Sequence, residues 1–211
     1  MRQPRRSLTA VSGPAYVALE GAEGCGKSTQ AALLADALGA VLTRETGGTP
    51  VGARLREILH DTTVTDLADR AEALITAADR AQHVVHVVRP ALAAGRLVVS
   101  DRSVHSTLAY QGYGRGLDLT ELRRINDWAI DGLWPQRVIL LDAPTAVLAA
   151  RISDRDLDRF ERAGDDFHAR VAAGFREMAA ADAARWTVVD ADGDVATVAK
   201  RVRAAYDEWT T

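Results

Sequence analysis

Gly21-Ala22-Glu23-Gly24-Cys25-Gly26-Lys27-Ser28 fits the pattern G-x-x-x-x-G-K-[ST] at every fixed position. Its glycines allow backbone N–H groups to point at phosphate oxygens, and a helix opening at Lys27 adds partial positive charge from its N-terminus. Lys27 would bridge the outer phosphates, and the Ser28 hydroxyl is a ligand for Mg²⁺. The run from Gly21 to Ser28, with Thr29 beside it, is therefore the expected nucleotide-phosphate loop; the bland alternative is a glycine turn capping a helix. Asp101 closes a later apolar run, where a carboxylate beside a phosphate loop can hold a Mg²⁺ water. With Arg102 directly after it, the pair also suits a helix N-cap with a surface salt bridge. Arg151, Arg155 and Arg159 recur at i, i+4 and i+8, along one face of a helix, with Asp154, Asp156 and Asp158 interleaved. That pattern fits either a solvated, salt-bridged face or a mobile lid that closes arginines over a triphosphate.

These groups need a scaffold that places strand ends beside helix starts. Tyr16 to Leu19 is a short apolar run stopped by Glu20-Gly21, which predicts a buried strand opening into the glycine loop. A helix follows over Lys27 to Leu38, with Gly39 as its stop. Further strands are expected at Val41 to Thr43, Leu97 to Ser100, Val138 to Leu141 and Trp186 to Val189. Helices are expected at Val51 to His60, Leu67 to about Ala94 with a bend near Pro90, Ser103 to Tyr110, and Leu119 to Ile130. A glycine-rich link, Gly112, Gly114 and Gly116, separates the last two. Pro144 to about Arg155, Asp165 to Asp182 and Asp194 to Tyr206 complete the helices. Strands thus alternate with helices five times, which predicts an α/β fold: a mostly parallel five-stranded sheet flanked by helices on both faces, of the phosphate-loop type. Residues 1–13 read as a disordered tail and 14–211 as one domain, with a lid at about 151–164.

The 211 residues are 47% hydrophobic and 26% charged, the composition of a globular chain rather than a disordered or membrane-spanning one. A net charge of -3 excludes a global field for a nucleic-acid polyanion. Any anion must be gripped locally. One cysteine and no secretory leader pattern lead to the expectation of a soluble, cytoplasmic protein. His83 and His86 stand i, i+3 beside Asp79 with no evident third ligand, so a polar helix face is the simpler reading. Trp128 and Trp134 are expected to pack.

Several segments, in order, resemble bacterial thymidylate kinases from about residue 15 to 205. They are the phosphate loop, Thr43-Arg44-Glu45-Thr46-Gly47-Gly48-Thr49, Ala78-Asp79-Arg80-Ala81-Gln82-His83, Asp101-Arg102 and Ser106 to Gly116. The resemblance implies transfer of the γ-phosphoryl group of ATP to dTMP with Mg²⁺, in a homodimer. By the same resemblance Arg102 grips the dTMP phosphate, and Glu23 faces the sugar of the monophosphate. Arg44 and Glu45 border the acceptor, Arg80 and Thr107 line the thymine end with Thr76, and Tyr110 and Gln111 lie close to the base and deoxyribose. Ser28 and Asp101, from the phosphate-loop and strand-end chemistry above, are the expected metal residues. With no arginine between Ala22 and Cys25, the chain is similar to the members whose lid supplies the transition-state arginine, here Arg151, Arg155 or Arg159.

Three residues depart from the family pattern. Thr76 stands in place of a phenylalanine that stacks on thymine, a loss of the order of 1 kcal/mol in base contact. Thr46 replaces proline, which makes any cis bond before it costly or absent. Ser103 replaces tyrosine, so the loop geometry is expected to differ. Thr76 also motivates the alternative of a kinase for another nucleoside monophosphate. A nucleotide switch would need an Asn-Lys-x-Asp guanine reader, and neither Lys27 nor Lys200 sits in one. A silent nucleotide-binding scaffold is opposed by the presence of Lys27, Ser28, Asp101 and Arg102.

Overall fold

The structure, a computed structural model, describes residues 15–152 and 158–210. The expected tail at 1–13, together with Arg155, Asp154 and Asp156 of the lid, lies outside the described residues. The elements run β1 (Tyr16–Glu20), α1 (Lys27–Leu38), β2 (Val41–Arg44), α2 (Pro50–His60), α3 (Asp69–His83), α4 (Arg89–Ala93), β3 (Val98–Asp101) and α5 (Val104–Thr107). They continue with α6 (Leu119–Ile130), β4 (Arg137–Asp142), α7 (Thr145–Ile152), α8 (Asp165–Ala181), β5 (Trp186–Asp190) and α9 (Val195–Asp207).

Among the described residues the five strands form one parallel sheet in the order β2-β3-β1-β4-β5. After β1 the chain moves to one side for β2 and β3, then crosses to the other for β4 and β5. The carboxyl end of β1 is thus the switch point, where open α/β sheets leave a crevice for a ligand. The glycine loop begins there. Leu19 lies beside Asp101 in the sheet, which puts the loop next to the end of β3.

Alternation along the strands divides the core. Val17, Leu19, Ile139 and Leu141 pack with Ala31 and Leu34 of α1 and with Val198 and Val202 of α9. Val138 and Leu140 face the opposite layer, with Leu108, Tyr110, and Phe167, Val171 and Phe175 of α8. Burial on both faces explains why the central strands are near-continuous apolar runs.

Two helical stretches differ from expectation. The long helix does not run to a bend at Pro90; it passes at His83 into a π-helical turn, Val84–Val88, where the Arg89 N–H reaches the Val84 carbonyl. Proline lacks an N–H and its ring crowds the carbonyl four residues back, so the widened turn sits just ahead of it. Likewise α5 continues as a π-helical segment, Leu108–Gly114, so Gly112 and Gly114 lie inside a helix and not in a link. Gly114 is required for contact: a Cβ there would lie 2.5 Å from Cε2 of Phe167.

Candidate active site

The phosphate loop leaves β1 through Gly21, whose φ is +146° and whose added Cβ would sit 2.4 Å from the Leu141 carbonyl oxygen. Only glycine lets the loop start that close to β4. The loop ends at Gly26, the N-cap of α1, with φ +89° and no side-chain cap. The first amides of this 12-residue helix therefore face the cleft with partial positive charge. Lys27 is buried and its Nζ donates to the Ala22 carbonyl at 2.8 Å, with Cys25 Sγ at 3.5 Å. Cys25 is a buried free thiol.

Ser28 Oγ donates to Asp101 Oδ2 at 2.5 Å, and Asp101 Oδ1 is buried with no hydrogen-bond partner. A hydroxyl and a carboxylate with one orphaned oxygen, beside a phosphate loop, fit Mg²⁺, which takes few protein ligands and completes its shell with water and phosphate oxygens. Among the described residues no cluster of three His, Cys, Asp or Glu suggests another metal. His83 is instead hydrogen-bonded to Thr43 and Glu45.

Across the loop lies a cationic floor. Arg102 adopts φ +72°, a left-handed conformation that costs about 1 kcal/mol or more for a side-chain-bearing residue. The strain aims its guanidinium back into the cleft. Arg102 Nη2 pairs with Glu23 Oε1, Nη1 meets Ser106 Oγ and Tyr110 Oη at 3.3 Å each, and the group lies 5.1 Å from the Tyr110 ring centroid. Burial alone would raise the Glu23 carboxyl, yet Arg102, Lys27 and the Tyr110 hydroxyl hold it well below the usual carboxylate range. Beneath, the buried Glu20 accepts from Ser103 N at 2.8 Å, Ser103 Oγ at 2.7 Å and Ser106 Oγ at 2.6 Å. Ser103 therefore ties the turn after Asp101 to the end of β1. Burial, only partly offset by these bonds, raises the Glu20 carboxyl.

The loop after β2 forms the other wall. Glu45 is clamped between Arg80 Nε at 2.7 Å and His83 Nδ1 at 2.9 Å. Burial opposes its charge, but Arg80 and His83 prevail and lower the carboxyl. The Glu45–Thr46 peptide bond is cis, so a cis bond stands here without proline. Asp79 Oδ1 accepts from Gly47 N at 2.9 Å, holding the loop against α3. At the end of the cleft away from the phosphate loop Thr107 Oγ1 donates to Thr76 Oγ1 at 3.2 Å, and Thr76 donates in turn to the Ala73 carbonyl. Thr76 thus completes a hydroxyl relay at the position where the family pattern has an aromatic ring.

One cleft of about 610 Å³ gathers most of the sequence candidates. Glu23, Gly24, Gly26, Lys27, Ser28 and Thr29 line its phosphate end with Asp101 and Arg102; Arg44, Glu45, Thr76, Arg80, Thr107, Tyr110 and Gln111 line the remainder. Arg151 lines it too, while its Nη2 donates to the Ala191 and Gly193 carbonyls at 3.1 Å, in the turn after β5. Arg159 stands apart. Its Nε donates to the Leu59 carbonyl at 2.9 Å, and Nη2 pairs with Glu72.

Some cleft residues escaped the sequence reading. Arg56 of α2 lines the cleft, its guanidinium pushed down first by burial and then by Arg44 and Arg102. Its signal lay in the helix period: Arg56 falls between the buried Gly52 and Leu59 on one stripe of α2. Phe160, also lining the cleft, stacks edge-on against Tyr110 and His60, and His60 Nδ1 meets Asp158 Oδ2 at 2.6 Å. No spacing rule joins His60 to Asp158, which are distant in sequence.

The thymidylate kinase family model matches residues 19–202. The chain is 43% identical over 206 residues to a thymidylate kinase of Desulforudis audaxviator, covering 93% of each chain. It is 48% identical over 193 residues to one from a Synechococcus species, covering 89% of this chain and 91% of the relative. A crystal structure of thymidylate kinase from Ehrlichia chaffeensis superposes with TM-score 0.76 at 30% identity, over 92% of this chain and 99% of that one.

Proposed function

The chain belongs to the thymidylate kinase family, and from that premise we propose that it transfers the γ-phosphoryl group of ATP to dTMP, giving dTDP and ADP. The observation that carries this reading is the single cleft in which a phosphate loop and its metal pair face a second, arginine-lined site. The acceptor is a phosphate oxygen that is already ionised, so it attacks the γ-phosphorus without a general base, and the bond to the ADP oxygen breaks. Ser28 and Asp101 would hold Mg²⁺, which would supply charge neutralisation for the phosphate oxygens. Lys27 exchanges its bond to the Ala22 carbonyl for the outer phosphates, and Arg102 holds the acceptor in line with Arg44 and Arg56.

Arg80, Thr107 and Gln111 take the base, with Thr76 beside them, and Tyr110 with Glu23 takes the sugar. Arg151 lines the cleft, whereas Arg159 stands apart on Glu72 and the Leu59 carbonyl, so the lid arginine for the transferring group falls to Arg151, which would exchange the Ala191 and Gly193 carbonyls for phosphate, or to Arg155. A chain with a free thiol in its phosphate loop and ATP as donor belongs in the reducing cytoplasm; among the described residues no helix is long and apolar enough to cross a membrane. We also propose a homodimer through α2, α3 and α6, neighbouring helices that expose Val51 and Ile58, Leu74, and Trp128 respectively.

The deciding experiment measures phosphoryl transfer from ATP to dTMP, dUMP, dCMP, dAMP and dGMP. We expect the highest kcat/KM for dTMP. A higher value for another monophosphate would mean that Thr76 belongs to a pocket rebuilt for a different base.

A further inference from the structure

Glu72, in the first turn of α3, is a carboxylate with no exposure to solvent that the phosphoryl-transfer chemistry does not use. Four donor atoms from three parts of the chain converge on it. Gln111 Nε2 donates to Oε1 at 2.8 Å, from the π-helical segment. Arg115, just beyond that segment, donates from Nη2 to Oε2 at 3.1 Å and from Nε to Oε1 at 3.4 Å. Arg159 Nη2 donates to Oε2 from the stretch before α8.

Both guanidiniums are themselves fixed: Arg115 lies 4.7 Å from the Phe167 ring centroid, and Arg159 is bound to the Leu59 carbonyl and lies over Phe160. Glu72 is therefore a stationary acceptor. A carboxylate only accepts, so an amide that meets it must present its N–H₂ and turn its carbonyl oxygen the other way. Gln111 lines the cleft, and among the described residues nothing donates to its Oε1. Thr107 spends its hydroxyl proton on Thr76, which leaves only lone pairs for a ligand.

We infer that Glu72 is a positioning residue that fixes the Gln111 carbonyl oxygen toward the base, so that the pocket selects a pyrimidine carrying a ring imide N–H. This rests on reading the cleft as the acceptor site. Arg80 lines the cleft with the Gln111 and Thr107 acceptors; its Nη1 and Nη2 give one N–H each, to Asn126 Oδ1 and the Ser103 carbonyl respectively, and keep a second for a ligand. That pattern complements the carbonyl and N3–H edge of thymine or uracil, whereas cytosine turns an acceptor N3 and an amino group to the same positions. A buried acceptor that meets an acceptor goes unpaired, which is a strong source of discrimination.

The test compares kcat and KM for dTMP and dCMP in the wild type, Glu72→Gln, Glu72→Asp, Gln111→Ala and the Glu72→Gln/Gln111→Ala double variant. A wild type that does not prefer dTMP to dCMP would refute the acceptor reading itself, separately from this inference. In Glu72→Gln the new amide can donate as well as accept, which frees Gln111 to turn over. The dTMP:dCMP ratio of kcat/KM should then fall about tenfold or more, mainly through dTMP KM, with kcat at saturation changed less than about threefold. In the Gln111→Ala background the same substitution should leave the ratio unchanged, because it acts through Gln111. Glu72→Asp keeps the charge but withdraws the acceptor, so its ratio should fall too; it decides the matter should Glu72→Gln not fold. An unchanged ratio in a folded Glu72 variant, or an undiminished effect without Gln111, would overturn the inference.

Discussion

Arg56 shows what a single side chain contributes to the cleft. Burial disfavours its charge, Arg44 and Arg102 add repulsion, and Asp158 and Glu23 offset these only in part. Three guanidiniums held together at such cost describe a site for a dianion, whose arrival relieves the repulsion. Arg56→Ala should therefore raise the acceptor KM by about ten- to a hundredfold, the equivalent of one charge-assisted hydrogen bond, while kcat changes little. Steady-state kinetics with dTMP varied at saturating ATP would measure this, and an unchanged KM would remove Arg56 from the phosphate site. The phosphate loop was legible in sequence because its chemistry is written in adjacent residues. Arg56 was not, because its role depends on a helix face meeting a strand end. Glu72 is similar: Glu72, Thr76, Asp79, Arg80 and His83 make the inward face of α3 polar, an inversion of the usual stripe that has meaning only once the cleft is known.

Among the elements, strand and helix identities followed from apolar period and glycine stops, as at Gly39, where φ is +59° at the end of α1. The π-helical turns were not legible, because widening by one residue leaves the local composition unchanged. The short helix α5 carries a pH response that its sequence did not suggest. His105 is buried between Trp186 and Trp134, with ring centroids at 4.8 and 5.5 Å. Burial first, then Arg185, Arg80 and Arg123, push its imidazole down to about 3. The folded state thus binds fewer protons than the unfolded state between the free value, about 6.5, and 3. The stabilisation is complete above about pH 6.5 and is lost progressively as pH falls toward 3, at about 1.4 kcal/mol per pH unit. His105→Gln removes this titration. Denaturant unfolding from pH 7 to 5 should show a shallower loss of stability in that variant than in the wild type, and parallel curves would refute the assignment.

At the scale of the whole molecule the sheet divides labour. Its α1 and α9 side buries an apolar layer, whereas α2 and α3 line the proposed acceptor pocket and, with α6, expose large apolar side chains on their outer face. Trp128 is 83% exposed on α6, Leu74 55% on α3, and Val85, on the following π-helical turn, 57%. Leu74 and Val85 are eleven residues apart, close to three helical turns, so they share a side. Apolar side chains grouped on adjacent helices are what a self-complementary twofold contact uses, and a stable one buries roughly 1,200–2,000 Å² in total. The wild type should therefore sediment at twice the 22.7 kDa chain mass. The Leu74→Glu/Val85→Glu variant places like charges across the axis and should sediment as a monomer. Since Leu74 lies between Glu72 and Thr76 on α3, loss of the partner should also loosen the pocket wall, so the monomer should show a raised dTMP KM with the ATP KM nearly unchanged. A wild type that is monomeric at micromolar concentration would refute the dimer, and a monomeric variant with wild-type dTMP KM would show that the pocket wall stands without it.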